Sequence, residues 1–84
     1  MKISLLYFGR PRERLGLSQE TVDAPETLVT LSELLAWLGT RGGRWTNELA
    51  DKSIRCAINQ TILPKDSKIQ TGDEIAIFSP ISGG

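Results

Sequence analysis

Gly83 and Gly84 close the sequence, and the carboxyl end they carry is the strongest candidate for chemistry in this chain. A terminus that must thread into another protein's narrow active site gains from lacking Cβ atoms and from free access to any φ. The six residues from Ser79 onward span at most ~20 Å, enough to leave a domain and enter a cleft. Nothing in the interior competes. The chain has no histidine, so it lacks the commonest general base and a common catalytic metal ligand. Its one cysteine, Cys56, sits between Arg55 and Ala57 in a strand-like run and reads as a small buried hydrophobe. The carboxylates Asp51, Asp66, Asp73 and Glu74 fall at turns, where capping or solvated roles suffice. Gly39, Gly42 and Gly43 lie near Arg41 and Arg44, but no strand leads into them and no Gly-Lys-Ser/Thr follows, as a phosphate loop requires. No cofactor-binding or metal-ligating set emerges, and without a catalytic constellation an independent small enzyme is the poorest reading.

A reactive tail needs a body to carry it. With 84 residues the chain makes one domain. A domain of this size buries little over ~60% of its unfolded surface, too small a core to enclose a whole substrate. Ten basic residues balance ten acidic ones, so charge gives no reason to bind nucleic acid or an anionic membrane. The apolar run after Met1 is far below the ~20 residues of a membrane span. It also lacks a signal-peptide cleavage site, because Gly9-Arg10-Pro11-Arg12 follows. A lone cysteine allows no internal disulfide, which suits a reducing compartment. The expectation is a soluble, cytoplasmic protein.

Periodicity supplies the elements. Lys2 to Phe8 reads as a strand ended by Gly9, and Pro11 opens a helical turn through Leu15 that Gly16 ends. Ser18 to Asp23 is a weaker, polar strand. Thr30 and Glu33 form a capping box, and Leu31, Leu34, Leu35 and Leu38 line one face of the main helix, which stops at Gly39 or Gly42. Trp45 and Leu49 suggest a further helical turn from Arg44 to Ala50. Ile54 to Asn59 is a strand, Asn59-Gln60 a turn into Thr61-Ile62-Leu63, Thr71-Gly72-Asp73 a tight turn, and Glu74 to Phe78 the last strand. The fold class is α+β, a mixed sheet with one main helix packed across one face. The first and last strands are the most apolar and belong in the middle of the sheet. A parallel, neighbouring arrangement of the two would give a ubiquitin-like β-grasp over residues 1–78, with a flexible tail over 79–84.

Alternation then divides the sheet. Ile3, Leu5, Tyr7, Ile75 and Ile77 share one side; Ser4, Leu6, Phe8, Glu74, Ala76 and Phe78 share the other, which the helix leaves open. Ile62 can join this second set. An exposed apolar patch of that kind marks a protein interface. The alternative is that a loop residue such as Trp45 covers it.

The ordered set Arg12-Glu13-Arg14-Leu15-Gly16, Asn59-Gln60-Thr61, Thr71 to Phe78 and Pro80-Ile81-Ser82-Gly83-Gly84 resembles the small subunit of molybdopterin synthase over essentially the whole chain. That resemblance implies a β-grasp and a sulfur-carrier cycle. A ubiquitin-activating-type adenylyltransferase would spend ATP to convert the Gly84 carboxylate into a glycyl adenylate. Sulfur from a persulfide donor would displace AMP and leave 1-thioglycine at position 84, and this would supply the dithiolene sulfur of molybdopterin. The acceptor is a cyclic pyranopterin phosphate held by the large subunit of a heterotetramer. The resemblance also places Phe8, Ile62, Phe78, Pro80 and Ile81 at the partner interface. Ser79-Pro80 stands where many relatives have two prolines, and the Arg41–Arg44 loop matches no family rule. Two alternatives stand beside this reading. One is a β-grasp sulfur carrier for thiamine or tRNA thiolation, although thiamine-type carriers are usually shorter across Thr30 to Asp51. The other is a non-catalytic β-grasp binding module with incidental glycines.

Overall fold

The computed structural model describes residues 1–80. Its elements are β1 (Lys2–Tyr7), α1 (Gly9–Leu15), β2 (Gln19–Asp23), α2 (Leu31–Gly39), α3 (Gly43–Leu49), β3 (Arg55–Ile58), β4 (Thr61–Leu63) and β5 (Glu74–Phe78). The five strands form one sheet in the order β2-β1-β5-β3-β4. β1 and β5 run parallel with Leu5 opposite Ile75 and Tyr7 opposite Ile77, and every other neighbouring pair is antiparallel. This is the ubiquitin-like β-grasp, with the two most apolar strands side by side.

Helix α2 forms where the local signals put it. The Thr30 hydroxyl accepts from the Glu33 amide, the Glu33 carboxylate accepts from the Thr30 amide, and so orphan donors at the helix start are satisfied. All four spaced leucines are buried and pack with Ile3, Leu5, Tyr7, Ile75 and Ile77 in a single core. The helix ends at Gly39, not Gly42. Thr40 caps it in a right-handed conformation and its hydroxyl donates to the Trp37 carbonyl at 2.6 Å, so no left-handed glycine is required there. Gly39 instead meets α3: a Cβ there would lie 3.6 Å from the Thr46 Cα, and the Thr46 hydroxyl donates to the Gly39 carbonyl at 2.6 Å.

Both short helical turns form helices, α1 starting earlier than Pro11 and α3 lying one residue before the expected Arg44 to Ala50. α1 begins at Gly9, two residues before Pro11, buries Pro11 and Leu15, and ends on Gly16 at φ 78°, where glycine avoids the Cβ clash of the left-handed region. α3 adds Leu49 to the core. With α2 as the main helix, α1 and α3 complete the cover on the buried side of the sheet through Leu15 and Leu49. Between β3 and β4, Asn59 and Gln60 both adopt positive φ (49° and 74°) in a two-residue hairpin turn. The Asn59 side chain holds the turn against the start of β5, accepting from the Glu74 amide at 3.0 Å and donating to Asp73 at 3.0 Å.

Candidate functional site

Strand register assembles the open face. On β1, Ser4 and Leu6 point away from the core, and Leu6 lies opposite Ala76 of β5. Ala76 lies opposite Ala57 of β3, which in turn lies opposite Ile62 of β4. Leu6, Ala76, Ala57 and Ile62 thus form an apolar row running across four strands on the helix-free side. One step along, Phe78 faces Arg55 across β5 and β3, and Phe8 extends β1 with its amide donating to the Ile77 carbonyl. Ile62 is 64% and Phe8 47% exposed; Phe78 is half-buried and Pro80 exposed. Ile81, Gly83 and Gly84 lie outside the described residues.

Trp45 does not cover this face. It packs on the helical side, edge-on to Tyr7 with ring centroids 5.9 Å apart, and carries the Arg41 guanidinium 4.5 Å above its ring. Arg41 also grips Glu20 with two hydrogen bonds of 2.8 and 3.1 Å, and the Tyr7 hydroxyl donates to the same carboxylate at 2.8 Å. The Arg41 loop is therefore an architectural clamp, tying the α2–α3 connection to β1 and the edge strand β2. Burial, followed by the bond to Glu20, pushes the Tyr7 phenol up, so it stays a donor at any physiological pH. Partial burial raises the Glu20 carboxyl, but the bonds from Arg41 and Tyr7 outweigh it and hold the group below its usual 4.5. A carboxylate whose folded pKa is depressed contributes stability above its unfolded pKa and loses it as pH falls through the folded value. Arg41→Ala is expected to destabilise the protein by about 1–2 kcal/mol at pH 7, combining a bidentate, partly buried ion pair with a cation–π contact. The deficit, read by urea melts, is expected to shrink as pH falls through the depressed Glu20 pKa and the carboxylate protonates; a deficit that stays constant however far the pH is lowered below 4.5 in the folded range would rule the ion pair out as its source.

At the end of the sheet where β5 gives way to the tail lies a polar cluster that sequence reasoning missed. Glu48 is buried and accepts from Arg10 Nε at 2.9 Å, with Arg14 3.8 Å away. Arg10 also reaches the Ser53 hydroxyl at 3.1 Å and Asp51 at 3.4 Å. Asp51 accepts from both the amide and the hydroxyl of Ser53, at 2.8 and 2.7 Å, and these two bonds lead in holding its carboxyl below the usual range. Ser79 then meets Ser53, oxygen to oxygen at 2.8 Å. The body's contacts therefore run one residue past Phe78, to Ser79. The Asp51-Lys52-Ser53 spacing was a legible Asx-turn signal; the reach of Arg10 and Ser79 to it was not.

Cys56 is buried on the core face, and burial pushes its thiol up to about 11. It stays protonated at neutral pH and is no nucleophile. Among the described residues no cluster of acidic and cysteine side chains can hold a metal ion. A shallow groove of about 520 Å³ lies between α2 and α3, lined mainly by apolar side chains with Lys65 the only charge, which is no catalytic set.

The ThiS family model matches residues 5–84. The chain belongs to the ThiS family. Among relatives of this ThiS-family chain, the molybdopterin synthase sulfur carrier subunit of Haemophilus influenzae is 32% identical over 82 residues, covering 98% of this chain and 99% of its own. The protein of the same name from Escherichia coli is 33% identical over the same shares. SAMP1 from Haloferax volcanii superposes with a TM-score of 0.81 at 21% identity over the whole of both chains. A chain of the protein–protein complex of subunits 1 and 2 of the molybdopterin-converting factor from Helicobacter pylori does so with a TM-score of 0.65 at 20% identity. These two structures share the ThiS-family chain's β-grasp. No helix among the described residues is long and apolar enough to cross a membrane.

Proposed function

We propose that this chain is the sulfur carrier subunit of a molybdopterin synthase, with the Gly84 carboxyl as the carrier group. The carrying observation is that the apolar row of the helix-free side leads, two residues further along β1 and β5, to Phe8 and Phe78 at the root of the tail. β1 and β5 run parallel, so Phe8 and Phe78 emerge together where the chain turns into its tail. A large subunit docked on Leu6, Phe8, Ile62 and Phe78 has its cleft within reach of Pro80, Ile81 and the terminal glycines. Whole-length relatives named as sulfur carrier subunits support the same reading.

The chemistry follows from the poor electrophilicity of a free carboxylate. A Gly84 oxygen attacks the α-phosphorus of ATP on an adenylyltransferase of the ubiquitin-activating type, and pyrophosphate leaves. A donor persulfide then attacks the acyl carbon and AMP leaves. A thiol takes up the donor's sulfur as a disulfide, freeing the thiocarboxylate. The thiocarboxylate sulfur attacks a side-chain carbon of the cyclic pyranopterin phosphate in the large subunit's cleft, and an oxygen substituent of that carbon leaves. Water then cleaves the acyl–sulfur bond, so the sulfur stays on the pterin and the Gly84 carboxylate is restored. The body supplies docking and reach rather than acid–base groups, so the chain acts only within the complex. The test is mass spectrometry after incubation with activating enzyme, ATP and a sulfur source: a gain of about 16 Da, oxygen replaced by sulfur, located by fragmentation at Gly84. An unchanged mass with a competent activating enzyme would overturn the proposal.

A further inference from the structure

We propose that Ser79 is a positioning residue, latched to Ser53 so that the tail leaves the body in one direction; this rests on the carrier reading above. Asp51 Oδ1 is a carboxylate oxygen and only accepts, so the single Ser53 hydroxyl hydrogen, 2.7 Å away, goes to it. Both Ser53 lone pairs are then open to donors, and two donors are present. Arg10 Nη2 supplies one at 3.1 Å, and the Ser79 hydroxyl must supply the other at 2.8 Å. The Ser53 oxygen is thereby saturated, with one bond given and two received.

Every other member of the cluster is anchored. Arg10 is held by buried Glu48, and Asp51 by the Ser53 amide at 2.8 Å. The acceptor that meets Ser79 is therefore fixed by α1, by α3 and by the α3–β3 loop, while Ser79 sits at the junction of β5 and the tail. A serine in that position has no ring to fix φ, as a proline would. Its hydroxyl contact instead restrains the backbone just before Pro80, which fixes its own φ. Together the latch and the proline aim the terminal residues. Orientation matters because a terminus that enters a cleft already aligned loses less entropy at the reacting geometry.

The experiment compares Ser79→Thr, which keeps the hydroxyl, with Ser79→Val, which has the same shape without it. Single-turnover sulfur transfer in the complex with the large subunit, starting from thiocarboxylated chain, gives the rate; binding to the large subunit is measured separately. Ser79→Val is expected to slow transfer about three- to tenfold, the worth of one hydrogen bond, with affinity for the large subunit unchanged and the fold intact. Ser79→Thr is expected to retain the full rate. Ser53→Ala, which also removes the bonds to Asp51 and Arg10, is expected to slow transfer at least as much as Ser79→Val, and the double variant to be no slower than Ser53→Ala alone, because the latch is already gone. Equal rates for the threonine and valine variants, or additive losses in the double variant, would overturn the latch. A Gly84-deleted chain run in parallel separates the two ideas: if it still transfers sulfur, the carrier reading itself falls.

Discussion

A chain lacking only Gly84 is expected to transfer no measurable sulfur while melting within about 1 °C of the full-length protein. Stability resides in the core cluster, which runs from Ile3 to Ile77, and in the polar cluster that ends at Ser79. Removing a residue beyond both takes away no described packing. Transfer depends on reach. Loss of one residue draws the reactive carboxyl back by about 3.5 Å along an extended chain. A misplacement of only ~1 Å can already cost ~100-fold in rate. Adenylation by the activating enzyme and delivery in the large subunit should fail together, since each requires the same end in a cleft. Calorimetry gives the first quantity and the mass-shift assay the second. A truncated chain that still acquires and passes on sulfur would end the carrier proposal.

Ile62→Asp is expected to weaken binding to the large subunit by at least about 100-fold, because docking would bury a carboxylate without a partner, at a cost of several kcal/mol. Ile62 is the most exposed large apolar side chain on the sheet and lies on the short edge strand β4. A polar substitution there should cost the isolated protein under about 1 kcal/mol, the span of strand preferences. Ala36→Asp, on the exposed side of α2, introduces the same charge on the opposite layer and serves as the control. It should leave affinity within about twofold, as surface changes outside an interface do. Titration calorimetry of both variants against the large subunit decides the matter. Equal affinities would remove the helix-free side of the sheet from the interface.

The apolar alternation of β1 and β5 made the open face of the sheet legible in the sequence, and the terminal glycine pair marked the end proposed as the carrier group. Each is a local pattern, and so is the run from Thr30 through Leu38 that builds α2. The same holds for Gly16, whose φ of 78° ends α1. Local chemistry of this kind is written in neighbouring residues and survives any reasonable packing. Beyond reach were contacts between distant loops: Arg10 with Glu48, Ser53 with Ser79, and Arg41 with Glu20. A serine or an arginine carries no periodic signal naming its partner, because many polar neighbours satisfy it equally well until the chain closes. The sequence by itself determined the elements and the faces they turn to the core. Only the tertiary structure decided that Trp45 packs with Tyr7 and leaves Phe8 and Ile62 exposed, and that Ser53 stands where Ser79 can reach it. Parallel pairing of β1 with β5 is the physical reason, since it brings α1, α3 and the root of the tail to the same end of the sheet.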